Sequence, residues 1–218
     1  MNIRCNRRYT GFTLSEVLIT LVIIGVIAAI TVPSVMQTTQ RQEFVSALKK
    51  AHSVLNQALY RIAIDNGYPL GDYSFFEDEN FIDEFGKVVN IMQKCNNTAD
   101  CFGKSIKSSY KYLNNNLASD AKEGKSVITA DGLLYTFSKV GTKYGLSPED
   151  QANTIGRIIV DVNGRKAPNK YGLDTFFFYV VEGKGIVPAG QYSTSTCTRS
   201  SHGRSCTAKV LKEGKINY

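Results

Sequence analysis

Three groups of side chains in this 218-residue sequence have the type and spacing to do chemistry. The first is Glu16, a carboxylate at the leading edge of an apolar run in which no charged residue occurs from Val17 to Gln40. The second is the set of five cysteines, Cys5, Cys95, Cys101, Cys197 and Cys206. The third is the stretch from Asp161 to Asp174, where Asp161, Asn163 and Asp174 offer side-chain oxygens around a turn. Histidine occurs only at His52 and His202, and the sequence has no glycine-rich phosphate loop or nucleophile elbow. The expectation is a chain that is not an enzyme.

Glu16 is the most informative of these residues. An ionised group deep in lipid costs about 2.5–3.5 kcal/mol on insertion scales, so such a carboxylate calls for a partner. No cation follows until Arg41. A cut between Gly11 and Phe12 would create an α-ammonium on Phe12, four residues before Glu16 and on the same helix face. The amine and carboxylate can meet within one chain, or between staggered chains. The second arrangement couples addition of a subunit to neutralisation of charge within lipid.

The elements that position this carboxylate follow from the apolar run. As a helix, the 24 residues from Val17 to Gln40 span roughly 36 Å, enough for a bilayer core of about 30 Å. Arg4, Arg7 and Arg8 precede the run and place the N-terminus in the cytoplasm. A cleaved signal peptide is the plainer alternative, but Ala28-Ala29 followed by Ile30-Thr31-Val32 makes a poor small-x-small site. A simple single-pass anchor leaves Glu16 without a purpose.

Gly11-Phe12-Thr13-Leu14-Ser15-Glu16, the aliphatic stretch Val17 to Ile30 and the closing Pro33 resemble the N-terminus of type IV prepilins and type II secretion pseudopilins. The resemblance covers about the first fifth of the chain. It implies cleavage between Gly11 and Phe12 by a prepilin peptidase that also N-methylates Phe12. It further implies pairing of Glu16 with the N-terminus of an adjacent subunit, and a lollipop shape with a long helix half embedded in a head. The organisation expected is a leader (1–11), a transmembrane and assembly helix (12–66) and a globular head (67–218). Pro33 and Gly25 are points at which the helix can kink or melt on assembly.

Charge and cysteine usage agree with removal of a leader. Losing its three arginines lowers the formal charge from +7 to +4, and losing Cys5 leaves four cysteines. Four cysteines allow three connectivities, of which the short spacings favour Cys95–Cys101 and Cys197–Cys206. Such bridges persist outside the cytosol; buried free thiols are the alternative.

Beyond the membrane the helix continues as an amphipathic stem, with Phe44, Leu48, Ala51, Leu55, Leu59 and Ile62 in one apolar stripe, and Asn66-Gly67 with Pro69 stops it. From Phe12 to Asn66 it would run roughly 80 Å. Residues 72–84 are acidic. Phe76, Phe81, Ile82, Phe85, Val88, Val89 and Met92 predict one or two short helices reaching the Cys95–Cys101 loop, with a further helical stretch over Lys104–Leu117. Strands are expected at Ser126–Ala130 and Leu133–Ser138, joined by an Asp131-Gly132 hairpin turn, and at Gly156–Val162, Thr175–Val181 and Gly185–Val187. The fold class is α+β: the long helix, membrane-spanning in its first half and amphipathic in its second, packs on a small antiparallel sheet head.

Asp161, Asn163 and Asp174, with backbone carbonyls, offer the oxygen-only shell that calcium prefers. Pseudopilins carry calcium in a C-terminal loop, whereas Arg165, Lys166 and the turn habits of Asp and Asn favour a plain structured turn. Cys197, His202 and Cys206 lack the fourth ligand of a zinc site. Lys184, Arg199, Arg204, Lys209, Lys212 and Lys215 make the tail basic, with Tyr192 and Tyr218 interspersed. The expected function is a structural subunit of a type IV pilus or secretion pseudopilus in the bacterial inner membrane, its head periplasmic or at the cell surface. Its expected partners are other subunits, prepilin peptidase, the inner-membrane assembly platform and the lipid bilayer. The alternative is a minor pilin or competence-type tip protein that holds DNA or a surface through the basic C-terminal loop.

Overall fold

The first helix, α1 (Leu14–Asp65), changes character along its length. A computed structural model describes residues 11–96, 100–101, 110–118, 124–139, 143–193 and 196–218. The chain falls into two compact units, one ending at Gln40 and one beginning at Arg41. In the first unit α1 is apolar on every face from Val17 to Ile30, apart from Thr20. Its most apolar 18-residue window has a mean hydropathy of 2.6, and none of that window is buried. A helix that is apolar all round needs an apolar solvent, and this one is long enough to cross a membrane. Pro33 lies inside it without interrupting it.

In the second unit α1 buries a single stripe: Phe44, Val45, Leu48, Ala51, Leu55, Ala58, Leu59, Ile62 and Ala63. Spacings of three and four place these on one face. The stripe packs on a six-stranded antiparallel sheet in which every strand pairs with its sequence neighbour, in the order β1 to β6. The strands are β1 (Ile91–Cys95), β2 (Lys125–Thr129), β3 (Leu134–Lys139), β4 (Thr154–Asp161), β5 (Thr175–Val181) and β6 (Gly185–Pro188). The architecture is α+β, a long N-terminal helix followed by an antiparallel sheet.

The run Thr175-Phe-Phe-Phe-Tyr-Val-Val181 is buried throughout because the sheet is covered on both faces. Phe176, Phe178 and Val180 join the core under α1. Phe177, Tyr179 and Val181 join a second core with Tyr110, Tyr171, Leu146 and Val187. Alternation along a strand sends successive residues to opposite cores, so a strand buried on both sides reads as continuously apolar. The β2–β3 hairpin turns at Asp131-Gly132, with Gly132 at φ +86°. Asp131 accepts from the Thr129 hydroxyl and pairs with Lys50 of α1 at 2.7 Å, which ties the turn to the helix.

A 3₁₀ turn (Ser74–Glu77) and α2 (Phe81–Val88) cap the α1 side of the sheet with aromatic rings. Phe76, Phe81, Phe85 and Phe137 lie 4.7–6.1 Å from one another in tilted and edge-to-face pairs, geometries that add about 0.5–1.5 kcal/mol beyond area burial. Phe76 lies against Gly156, where an added Cβ would meet its Cε1 at 2.0 Å.

Several local expectations are corrected. The helical segment ends at Val88, and Ile91–Cys95 is an edge strand instead, set by its pairing with β2. Of the helix expected over Lys104–Leu117, residues 104–109 lie outside the described residues. The remainder is a turn closed by a Lys111–Leu117 bridge, because Asn115 takes the left-handed conformation (φ +71°) and asparagine runs favour turns. Two short helices went unanticipated. In α3 (Pro148–Ala152) the Ser147 hydroxyl caps the Asp150 N–H, and α4 (Thr207–Glu213) ends on left-handed Gly214.

Gly156→Ala should lower stability by about 1–3 kcal/mol, since the Phe76 ring is held by its neighbours and cannot withdraw. Thermal unfolding of the detergent-solubilised chain measures this; an unchanged midpoint would remove Phe76 from that position.

Candidate functional site

Gly11, Phe12 and Thr13 are non-helical and exposed, Phe12 to 89%, and α1 begins immediately after them. The peptide bond between Gly11 and Phe12 therefore lies in an exposed, non-helical segment at the mouth of the apolar helix. Glu16 lies in the first turn of α1. Its Oε2 accepts from the Thr13 N–H at 2.8 Å and from the Thr13 hydroxyl at 2.8 Å, and the Thr13 Oγ1 in turn accepts from the Glu16 N–H at 3.2 Å. This reciprocal arrangement is a capping box of the Thr-x-x-Glu type, which satisfies amide donors that every helix start leaves free. The carboxylate is thus aimed at the backbone one residue from Phe12, and the positive end of the helix favours its charge. The Thr-x-x-Glu spacing was present in the sequence and carries this reading.

The cysteines are placed as two bonded pairs, Cys95 with Cys101 and Cys197 with Cys206. All four are buried. Closing loops this short contributes about 2–3 kcal/mol each through loss of unfolded-chain entropy. Because both its sulfurs are bonded, the Cys197–Cys206 loop provides no thiolate for zinc, and exposed His202 packs edge-on against Tyr112 at 4.6 Å. His52, on α1, stacks on Phe178 at 5.5 Å, and burial holds its pKa below the ordinary value.

Asp161 at the end of β4 and Asp174 at the start of β5 come together across the loop that joins those strands. Both are fully buried. Tyr110 donates its hydroxyl to Asp161 Oδ2 at 2.7 Å, and the Asn163 N–H donates to Oδ1 at 3.2 Å. The N–H groups of Asn169 and Lys170 donate to Asp174 at 2.8 and 2.5 Å. Burial, joined by the charge of Asp174, pushes Asp161 well above the usual carboxylate range. Burial likewise pushes Asp174 up to about 6 against those backbone donors. The side-chain oxygens of Asn163 and Asn169 are buried with no donor. These groups are oxygen donors of the kind calcium takes, although each carboxylate oxygen already accepts a protein donor and only the two amide oxygens are left without one. Among the described residues no group of three or more His, Cys, Asp or Glu side chains stands together, so the site carries two acidic ligands at most. Asn169 and Tyr110 were not expected here, and neither has a local sequence signal.

The basic residues of the tail do not form one free stripe. Lys184 pairs with Asp150 at 2.5 Å. Arg204 lies between the rings of Tyr112 and Tyr144, at 4.8 and 4.6 Å, and donates to the Tyr112 hydroxyl. Lys209 stands 5.4 Å over Tyr218. In the acidic segment, Asp83 pairs with Lys94 and Glu84 with Lys87.

With this geometry in view, comparison with known families is informative at one place. The family model described as the prokaryotic N-terminal methylation motif matches residues 6–32, which is the signature of type IV prepilins and pseudopilins. No curated protein and no solved structure matches the chain. The chain therefore carries a pilin-type precursor N-terminus, the mark of a class of structural proteins, on an apolar helix suited to a single-pass anchor.

Thr13→Ala or Glu16→Ala should each open the first turn of α1, at a cost of about 1 kcal/mol, whereas Glu16→Gln should keep the cap. Amide exchange of residues 14–17 in detergent micelles measures this. Equal protection in all three variants would rule out the capping box.

Proposed function

We propose that this chain is a structural subunit of a type IV pilus or a type II secretion pseudopilus. In this reading prepilin peptidase cuts between Gly11 and Phe12 and methylates the new Phe12 amine. The leader is then 1–11, the assembly helix 12–66 and the head 67–218. The observation that carries it is the open Gly11–Thr13 segment set directly before a Glu16-capped, wholly apolar helix and inside the matched motif.

Cleavage changes what Glu16 faces. The donor that replaces the Gly11–Phe12 amide is a cation one residue from the N–H that Glu16 already accepts. A carboxylate at the membrane edge gains more from a cation than from a neutral amide. In a filament each Glu16 neutralises the amine of an adjacent subunit, so a misplaced subunit leaves both charges unpaired in lipid. Pro33 lacks an amide hydrogen and leaves the Ala29 carbonyl without its helical donor, which makes that turn the easiest to open during packing. Arg4, Arg7 and Arg8 hold the N-terminus on the cytoplasmic side of the inner membrane, and the disulfide-bonded head stands in the periplasm, where the assembly platform can incorporate it.

Intact-mass measurement and N-terminal sequencing of the membrane-extracted protein test this. The expected chain begins at N-methylated Phe12 and gains four hydrogens on reduction of its two disulfides. A chain beginning at Met1, or cut after Ala29, would sink the assembly mechanism.

The β4–β5 loop supports a second element of this reading: Asp161, Asn163, Asn169 and Asp174 hold a calcium ion that neutralises the buried carboxylate pair and occupies the orphaned amide oxygens. At calcium near 100 times its dissociation constant, stability should rise by about 2.7 kcal/mol, or roughly 5–10 °C in midpoint for a chain of this size. Asn163→Ala should remove that increment, and identical midpoints in calcium and in chelator would reject the site.

A further inference from the structure

The head carries a groove and a turn of opposite charge at two levels along α1. The groove, of about 840 Å³, is lined by Lys49 and His52 of α1, Ile186 and Pro188 of β6, and Leu211 and Lys212 of α4, with Tyr192 beside them. Its floor is apolar, its charged lining is Lys49 and Lys212, and no acidic residue lines it. Both lysines are exposed, and neither has an acidic partner among the described residues.

The turn is Glu77-Asp78-Glu79, at the end of the 3₁₀ segment. All three residues are exposed and none forms an ion pair among the described residues; Tyr68 donates to the Asp78 carboxylate, and the neighbouring Lys125 donates to the Glu79 carbonyl and not to its carboxylate, whereas Asp83 and Glu84 are paired within the chain. Asp78 lies beside Ile62 at the far end of α1. Between Lys49–His52 and Ile62–Asp65 the helix rises about 20 Å. The groove and the turn are therefore different surfaces at different heights. A contact between them is heterologous, and repetition of a heterologous contact that does not close on itself builds an open helical polymer.

We propose that Glu77-Asp78-Glu79 of one copy of this chain sits in the Lys49–Lys212 groove of the next. This rests on the filament reading above and specifies the contact between heads that the reading leaves open. An apolar floor rimmed by two unpaired lysines suits an exposed acidic turn. The charges fix register and suppress wrong pairings more than they add affinity. Exposed ion pairs are worth about 0–1 kcal/mol each, so the contact selects the stagger and the apolar helices supply most of the cohesion.

The test uses the full chain in the cells that make it. Glu79→Cys together with Lys212→Cys, oxidised in sheared filaments, should give a ladder of dimers, trimers and longer species, and either cysteine alone should give none. Independently, Glu77→Lys with Glu79→Lys should reduce filament yield about tenfold, and adding Lys49→Glu with Lys212→Glu should restore it. Filaments of the double-cysteine chain without a ladder would overturn this contact and leave the filament reading intact. Cross-linking of the Glu79→Cys chain to a different protein would overturn it too. If the charge-reversed chains do not accumulate, the cysteine pair, which removes one charge from each side of the contact, reverses none and leaves Glu77, Asp78 and Lys49 in place, decides the matter. Absence of filaments from the unaltered, correctly processed chain would overturn the filament reading and this contact with it.

Discussion

One helix has to satisfy two surroundings, and most of the structure follows from how its sequence divides them. From Val17 to Ile30, α1 is interrupted by no polar side chain but Thr20, so it offers no polar face and is suited to an apolar phase rather than to water. From Phe44 onward it offers one stripe, and that stripe needs a sheet to cover it. The backbone hydrogen bonds are satisfied within the helix in both parts, which allows one secondary structure to serve lipid and protein alike. The six-stranded meander covers this stripe with strands that pair in sequence order and antiparallel, so no connection has to cross the sheet.

At the entry to this helix the same economy applies to charge. A carboxylate at the edge of an apolar helical segment is unfavourable unless it is engaged, and Glu16 engages one oxygen, Oε2, with both the Thr13 N–H and hydroxyl. The interaction is local and neutral on the donor side. It therefore suits a chain waiting in the membrane, because it shields the carboxylate without removing its charge. A cation arriving at the same place would bind more strongly, since it adds a Coulombic attraction that the neutral Thr13 donors lack. The cap holds the carboxylate at the helix mouth, where the proposed cleavage would place a new amine.

Legibility in the sequence tracked the range of the interaction responsible. The β2–β3 hairpin was readable from Asp131-Gly132, and β5 from its aromatic and β-branched run, because turn chemistry and residue shape act locally. The stem stripe was readable for the same reason. The strand β1 was not, since Ile91-Met92-Gln93-Lys94 has no clean alternation and exists as a strand only because β2 presents an edge to it. The short helices α3 and α4 did carry signals, Ser147-Pro148 at one start and Gly214 at the other end, but each is too brief for periodicity to register. At the loop site, Asp161, Asn163 and Asp174 were legible as oxygen donors. Tyr110, 51 residues before Asp161, was not, because only the tertiary fold brings it near. The capping box is legible from the Thr13-x-x-Glu16 spacing alone, because a helix cap is a local interaction.

Charges in the head follow a division that composition could not reveal. A net charge of +7 reads as a basic protein, and the tail as a basic stripe, yet several of those cations are already committed. Lys184 is held by Asp150, and Arg204 is packed between two tyrosine rings, where its planar guanidinium does the work of a core residue. Removing committed groups leaves a smaller and more specific pattern, in which lysines flank a groove at one level and carboxylates crown a turn at another. A uniform basic face would attract any polyanion. Two separated patches of opposite sign favour a partner with the same separation, and another copy of the chain is the partner that always has it.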